Sequence, residues 1–397
     1  MVMKTFFFKI KKLLFERKYK NQIQPIFIPQ ELLINTHVNS SQYYDQEDLV
    51  YINELNLFCA FKYEVVKEAL FMENFGASPM HTSLNRIYFQ IDKVRHMHNK
   101  RSAIKILDFL SKKLQFEDNV FLSKVFIILM NDLPQNSSFN LVEYVINPTI
   151  LVNALNDLGF LNSLTLFDPE HVDFSCELLR EKTKEIFNNR SVLEQLLRES
   201  INEENIPVLL TELLNELSIE GGYDSSELPF FYTTVIYTSI ENVASFVNTF
   251  IYFILKNYSQ AFLDGNQTDL MIIANELLRI YSPNFITFRA ANENMNFRGV
   301  KFMKGDLIAL FIGAANLDKN VFTEPQKIKF DREINHLAFG RGQISCIGQF
   351  ASFRIAFNFI SEIYKLDGKI TILDEEPKFE IKGVVRISEI NSNYVIN

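Results

Sequence analysis

The stretch HLAFGRGQISCIGQFASFRIAF, residues 336–357, sets Phe339, Gly342, Cys346 and Gly348 in the spacing FxxGxxxCxG, immediately ahead of a segment with helical apolar periodicity. With 38 Phe, 13 Gly and 3 Cys in 397 residues, this spacing arises by chance in about 3 of 10,000 such chains, so it is read as a motif. Its chemistry suits a thiolate that ligates a metal from a loop. Gly340 and Gly342 permit a tight turn that brings backbone N–H groups towards the sulfur. The helix that starts just after Cys346 points its positive end at the sulfur and favours thiolate over thiol. Gly348, without a Cβ, lets a flat macrocycle approach, and Phe339 shields the sulfur from water.

Pro229 to Lys256 is a run of about 28 residues with no breaker, a helix of roughly 42 Å. A second helix over about 268–281 stops before Pro283. ITFRA, VKFMKGDLIALFI and KITILDEEPKFEIKGVVRI then alternate and carry turn residues, as strands do. Residues 100–260 hold few Gly and Pro and read as a series of helices, whereas the apolar stretch 46–75 runs into a loop marked by Gly76 and Pro79. The expected class is mainly α with small β-sheets. Residues 1–44 form an N-terminal extension packed on or preceding the core, and 45–397 a single domain. KIKKLLFERKYK, residues 9–20, is a basic helical stretch, either solvated or in contact with a membrane surface or partner.

Composition narrows the function. Hydrophobic residues make up 47% and charged residues 22%, which fits a globular protein, and 40 basic against 48 acidic side chains oppose non-specific nucleic-acid binding. No apolar run reaches 18 residues, so no transmembrane segment is expected. Cys59, Cys176 and Cys346 are too sparse for a disulfide framework or zinc knuckle and fit a reducing cytoplasm. A monomer is expected.

From about residue 45 to the C-terminus the chain resembles the cytochrome P-450 family, the haem-thiolate monooxygenases, in their soluble bacterial form. The resemblance implies a cytochrome P-450-like fold and haem b with Cys346 as axial ligand to iron, where a thiolate promotes O–O cleavage. Phe339, Gly340 and Gly348 then border the cofactor. Glu276 and Arg279 in ELLR are similar to the family's ExxR pair, a structural lock for which Arg332 in KFDRE is the matching third member. Gly299, Gly305, Asn316 and Asp318 match the strands and Asn-x-Asp turn that follow. His96 and Lys100 occupy the HxxxR positions, with Lys in place of Arg, and Arg289 matches a propionate-binding position. A zinc pair of His96 and His98 has no third ligand at suitable spacing. Two residues before the cysteine the family carries His or Arg, and here stands Ile344, so one propionate contact is missing.

YTSIENVASF, residues 237–246, aligns with the family's AGxET segment: Thr238 stands at Ala, Ser239 at Gly, Glu241 at the acid and Asn242 at Thr. Only the acid is kept. An amide donates a hydrogen bond but relays a proton less readily than a hydroxyl. Ser239 or Thr238 supplies the hydroxyl, a water or the substrate substitutes, or the chemistry differs. The implied function is oxidation of a small apolar or aromatic organic substrate by dioxygen, with electrons from a ferredoxin or flavodoxin and its reductase. The basic residues of 93–105 suit docking of such a partner or simple solvation. A peroxide-using, rearranging or coupling enzyme, and a non-catalytic haem protein that binds a ligand, stand as alternatives. The distal pocket should draw on 75–90, 160–180, Val235 to Asn242 and Asn284 to Thr287.

Overall fold

A computed structural model of the chain describes residues 47–52, 57–77, 120–134, 137–157, 160, 167–168, 173–189, 191–193, 195–196, 228–257, 267–342, 345–346, 348–382 and 384–396. The expectations for residues 1–44, the basic segments 9–20 and 93–105, His96, Lys100, Pro79 and Ile344 lie outside these residues, as does the side chain of Thr238.

Helices in chain order are α1 (Tyr63–Phe71), α2 (Val120–Asn131), α3 (Asn147–Asp157), α4 (Cys176–Asn188), α5 (Leu228–Asn257), α6 (Gln267–Ile280), the short α7 (Ile312–Ala315) and α8 (Gln349–Tyr364). Strands are β1 (Val50–Ile52), β2 (Leu57–Ala60), β3 (Phe75–Ala77), β4 (Phe139–Asn140), β5 (Phe167–Asp168), β6 (Asp173–Phe174), β7 (Thr287–Ala291), β8 (Met295–Phe297), β9 (Val300–Phe302), β10 (Leu307–Leu310), β11 (Gly368–Ile372), β12 (Lys378–Lys382), β13 (Val384–Glu389) and β14 (Asn391–Ile396). They group into two compact units, one within Met1–His81 and Leu278–Ser345, the other within Thr82–Leu277 and Cys346–Asn397.

The first unit is built on a sheet of order β1-β2-β10-β7-β3. LFCA in β2 is buried on both faces, as a central strand should be, and pairs parallel with β10 and antiparallel with β1. Tyr51, Phe58, Phe75, Phe297 and Phe302 meet edge-on or tilted with centroids 5.2–5.5 Å apart, which fastens the β8–β9 hairpin to the sheet. Arg298 (φ 50°) and Gly299 (φ 82°) form the two-residue turn of that hairpin. Arg298 is held in this left-handed conformation by Glu68 (Nε to Oε2, 2.9 Å) and Asp48 (3.0 Å). Gly76 corrects the expected loop: it lies inside β3, opposite Ala290. A Cβ there would stand 2.5 Å from Asn292 Oδ1, the end of a side chain that would have to shift, and no positive φ marks a turn.

The second unit is mainly helical. α5, 30 residues and about 45 Å long, begins one residue before the Pro-marked start and runs one beyond Lys256. It packs on α3, α8 and β13. Phe246 meets Phe353 of α8 at 5.7 Å and 90°, and Phe250 meets Phe357 at 5.6 Å. Ser245 donates to Val385 O, and Asn248 Nδ2 to Ile387 O at 3.2 Å, which binds the helix to β13 through buried polar groups. A π-helical turn, Val142–Ile146, leads into α3 for a readable reason. Pro148 has no N–H to give Tyr144 O, and Arg180 Nε donates to that carbonyl instead at 3.2 Å. β11 pairs with β14, β14 with β4, and β12 with β13 in antiparallel ladders. Among the described residues no helix is long and apolar enough to cross a membrane.

Candidate functional site

Cys346 stands three residues ahead of α8 and is exposed, while Cys59 and Cys176 are buried. Crowding by protein raises its thiol pKa above the ordinary value, and hydrogen bonds from the Gly348 and Gln349 amides act in the opposite direction. The first turn of a 16-residue helix thus presents its unsatisfied N–H groups to the sulfur, as the sequence implied. A Cβ on Gly348 would meet Cys346 Sγ at 3.7 Å, an ordinary contact. Protein packing therefore does not require glycine at 348.

The loop before the cysteine belongs to the other unit and is fixed there by side chains. Gly340 (φ 67°) and Gly342 (φ 72°) adopt left-handed conformations, and Gly340 N closes a turn on Leu337 O at 2.8 Å. Asn316 ties three segments: its Oδ1 accepts from Leu337 N (2.7 Å), its Nδ2 donates to Ser282 Oγ (2.8 Å), and its carbonyl accepts from Arg279 Nη1 (2.9 Å). Asp318 Oδ2 accepts from Tyr63 N at 2.9 Å and so caps α1. Arg341 Nη2 donates to Asn335 Oδ1 and to His336 O, at 2.7 and 2.8 Å. His336 is buried; desolvation, with Arg341 and Arg279 nearby, lowers its pKa to about 3. It is therefore neutral and accepts from Ala338 N through Nδ1 at 3.2 Å. Phe339 packs its ring 5.8 Å from the imidazole. His336 and Ser282 were missed as supports, although His336 opens the motif itself.

Gly342 is the tightest position. A Cβ there would fall 2.7 Å from Leu70 O and 3.1 Å from Phe71 Cα, both backbone atoms that cannot swing aside. Gly342→Ala is expected to destabilise the protein by about 2–4 kcal/mol, from strain at positive φ plus the clash. The urea midpoint measures it, and a variant as stable as wild type would show that the loop does not need this conformation.

Glu276 and Arg279 are both fully buried one turn apart on α6. Arg279 Nη2 donates to Lys327 O (3.4 Å), and its guanidinium lies 5.0 Å from the Phe322 ring centre. Arg332 Nη2 donates to the same Lys327 carbonyl at 3.3 Å, so the two arginines converge on one backbone oxygen. Arg289, on β7, is 5% exposed and donates to Thr287 Oγ1 (3.1 Å) and Phe288 O (3.0 Å). Burial lowers its pKa to about 10, and it makes no ion pair among the described residues. Among the described residues its guanidinium thus meets only neutral acceptors. Ser239, Glu241 and Asn242 are half-buried on one turn of α5. Cys346, Gly348, Ser239, Glu241, Asn242 and Glu276 belong to one unit; Arg279, Arg289, Arg332, Phe339 and Gly340 belong to the other.

Comparison with known proteins adds a family. Residues 270–384 match the family model "Cytochrome P450". A biotin biosynthesis cytochrome P450 of Bacillus subtilis is 33% identical over 110 residues, 27% of this chain and 28% of that protein. Cytochrome P450 CYP107DY1 of Priestia megaterium is 26% identical over 259 residues, 64% of this chain and 62% of that protein. The chain thus spans less than two thirds of the length of either relative. Two solved structures share the fold. CYP109E1 of Bacillus megaterium in complex with testosterone has a TM-score of 0.65 at 18% identity, over 92% of this chain and 99% of that one. P450BioI in complex with an acyl carrier protein ligated to hexadec-9Z-enoic acid has a TM-score of 0.64 at 16% identity, over 92% and 100%. Residues 270–384 thus carry the sequence pattern of the cytochrome P450 family, and the chain shares the fold of solved cytochromes P450.

Proposed function

We propose that the protein is a haem-thiolate monooxygenase that inserts one oxygen atom of dioxygen into a small apolar organic substrate, with two electrons and two protons leaving the second atom as water. The observation that carries this reading is Cys346, an exposed thiol that takes the Gly348 and Gln349 amides at the head of α8. Haem b, the cofactor of the family, supplies the redox chemistry on dioxygen when bound. In one unit Cys346 suits it as thiolate ligand, with Gly348 leaving space beside the sulfur; in the other, Arg289 is a buried cation that the resemblance assigns to a propionate. Phe339 and Gly340 border the same loop, and His96 and Lys100 are the remaining propionate partners. With Ile344 in place of a basic residue, Arg289 carries more of that charge.

Glu241 Oε and the Ser239 or Thr238 hydroxyl can each accept and pass on a proton along α5, whereas Asn242 Nδ2 only holds a hydrogen bond. Testosterone and an acyl chain on the two structural relatives support an apolar substrate, and the region is rich in Phe, Ile and Leu. Electrons come from a separate ferredoxin or flavodoxin with its reductase.

The test is turnover of a panel of steroids and long-chain fatty acids by the haem-loaded chain with NADPH, ferredoxin and reductase under ¹⁸O₂. One labelled oxygen atom in product, dependent on all three components, is expected. Asn242 in place of a hydroxyl favours one second reading, a peroxide-using enzyme. Product formed from hydrogen peroxide alone, with none from the complete electron-transfer system, would replace the first reading by that one.

A further inference from the structure

A second candidate site lies wholly within the mainly helical unit. Between the π-helical turn, α4 and the β12–β13 hairpin is a cavity of about 310 Å³, with Asn140, Asn147, Lys184, Phe187 and Arg386 in its walls. Arg386, on β13, is 6% exposed. Its Nη2 donates to Glu380 Oε2 at 3.2 Å, and its guanidinium lies 5.8 Å from the Phe187 ring centre. Its Nη1 is shielded from solvent and has no hydrogen-bond partner among the described residues. A buried guanidinium N–H without an acceptor is unfavourable and rare in folded proteins, which points to a group that arrives from outside.

The neighbouring charges are already matched. Lys184 pairs with Glu143 at 2.6 Å, Arg180 with Asp132 at 2.6 Å, and Glu389 with Lys378 at 3.0 Å. The unmet donor is therefore Arg386. Asn140 adds another: its Oδ1 is occupied by the N–H groups of Val142 (3.1 Å) and Ile390 (3.2 Å), which leaves its NH₂ to donate. Arg386 keeps its ion pair with Glu380, so the donors left over are its Nη1 and the Asn140 NH₂, and the second edge of a planar guanidinium matches an oxyanion.

We propose that this cavity binds the oxyanion end of a small molecule, a carboxylate or a phosphate, with Arg386 as its charged donor and Asn140 as its second. The site does not depend on the haem reading, since none of its residues belongs to the loop or helix face assigned to the cofactor.

The chain contains no tryptophan, so Asn188→Trp, at the exposed rim on α4, gives a single fluorescent reporter. The haem-loaded full chain carrying it is titrated with sodium phosphate and separately with sodium acetate, each against sodium chloride at equal ionic strength. A saturable fluorescence change is expected with at least one of them. Saturation by phosphate alone assigns a phosphate, and by acetate alone a carboxylate. Adding Arg386→Gln is expected to raise the half-saturating concentration about tenfold or more. Arg386→Lys, which keeps the ion pair with Glu380 but loses the fork, should weaken binding in the same direction and serves if the Gln variant does not fold. A response no different from chloride, or one that survives unchanged in the Arg386 variants, overturns the proposal.

Discussion

Replacing Cys346 by alanine is expected to abolish the strongly red-shifted Soret band of the reduced carbon monoxide complex and to lower haem content at least tenfold, with the chain still folded. The two halves of this expectation have separate causes. Cys346 is exposed, and its hydrogen bonds come from two backbone amides at a helix start, groups that water can satisfy after truncation. The cost to the fold is therefore about 0.5 kcal/mol or less, in the range of surface substitutions. The spectral band, by contrast, requires thiolate ligation, and no other cysteine can substitute: Cys59 is buried in β2 with its pKa raised well above the ordinary value, and Cys176 is buried at the start of α4 with a raised pKa. Absorption spectra, with circular dichroism as the folding control, measure both. A red-shifted band that persists in the variant would remove Cys346 from the iron.

Arg279→Met should do the opposite, damaging the fold first and the cofactor only in consequence. Arg279 is fully buried, donates to the carbonyls of Asn316 and Lys327, and stacks on Phe322. Methionine fills much of the volume and leaves those acceptors without their donor in a low-dielectric interior. Loss of one member of a buried charged network costs about 3–5 kcal/mol. Arg279→Lys keeps the charge but cannot span two carbonyls with a planar fork, so about half that loss is expected. Urea unfolding of the haem-loaded protein gives the comparison. A Met variant within about 1 kcal/mol of wild type would mean that the network is redundant.

What could be read from the sequence followed the range of the interactions. α5 and α6 came within a residue of their observed bounds because apolar periodicity and the prolines at 229 and 283 are local signals. β7, β9 to β13 were equally legible from alternation and turn residues. Gly76 was misread because its strand partner, Ala290, is distant in sequence, and a glycine inside an edge strand looks like one in a turn. The π-helical turn depends on Arg180 reaching Tyr144 O across 36 residues, which no window of sequence displays. At the site, Cys346 and its glycines carry their own chemistry in their spacing. Arg289 and ELLR gained meaning only from resemblance, and the resemblance did not disclose that Arg279 and Arg332 share the Lys327 carbonyl. The Arg386 cavity was invisible, being assembled from three segments with unremarkable compositions.

The bond from Tyr63 N to Asp318 Oδ2 closes a separation of 255 residues, and the parallel pairing of β2 with β10 is of similar reach. During synthesis at about 5–20 residues per second, β1, β2 and α1 leave the ribosome roughly 13–50 s before their partners exist. Through that interval LFCA, a fully apolar strand, has both edges open. Cells making this protein should need holdase capacity early in elongation, and slowing translation after residue 77 should raise the yield of aggregate more than slowing it after residue 340.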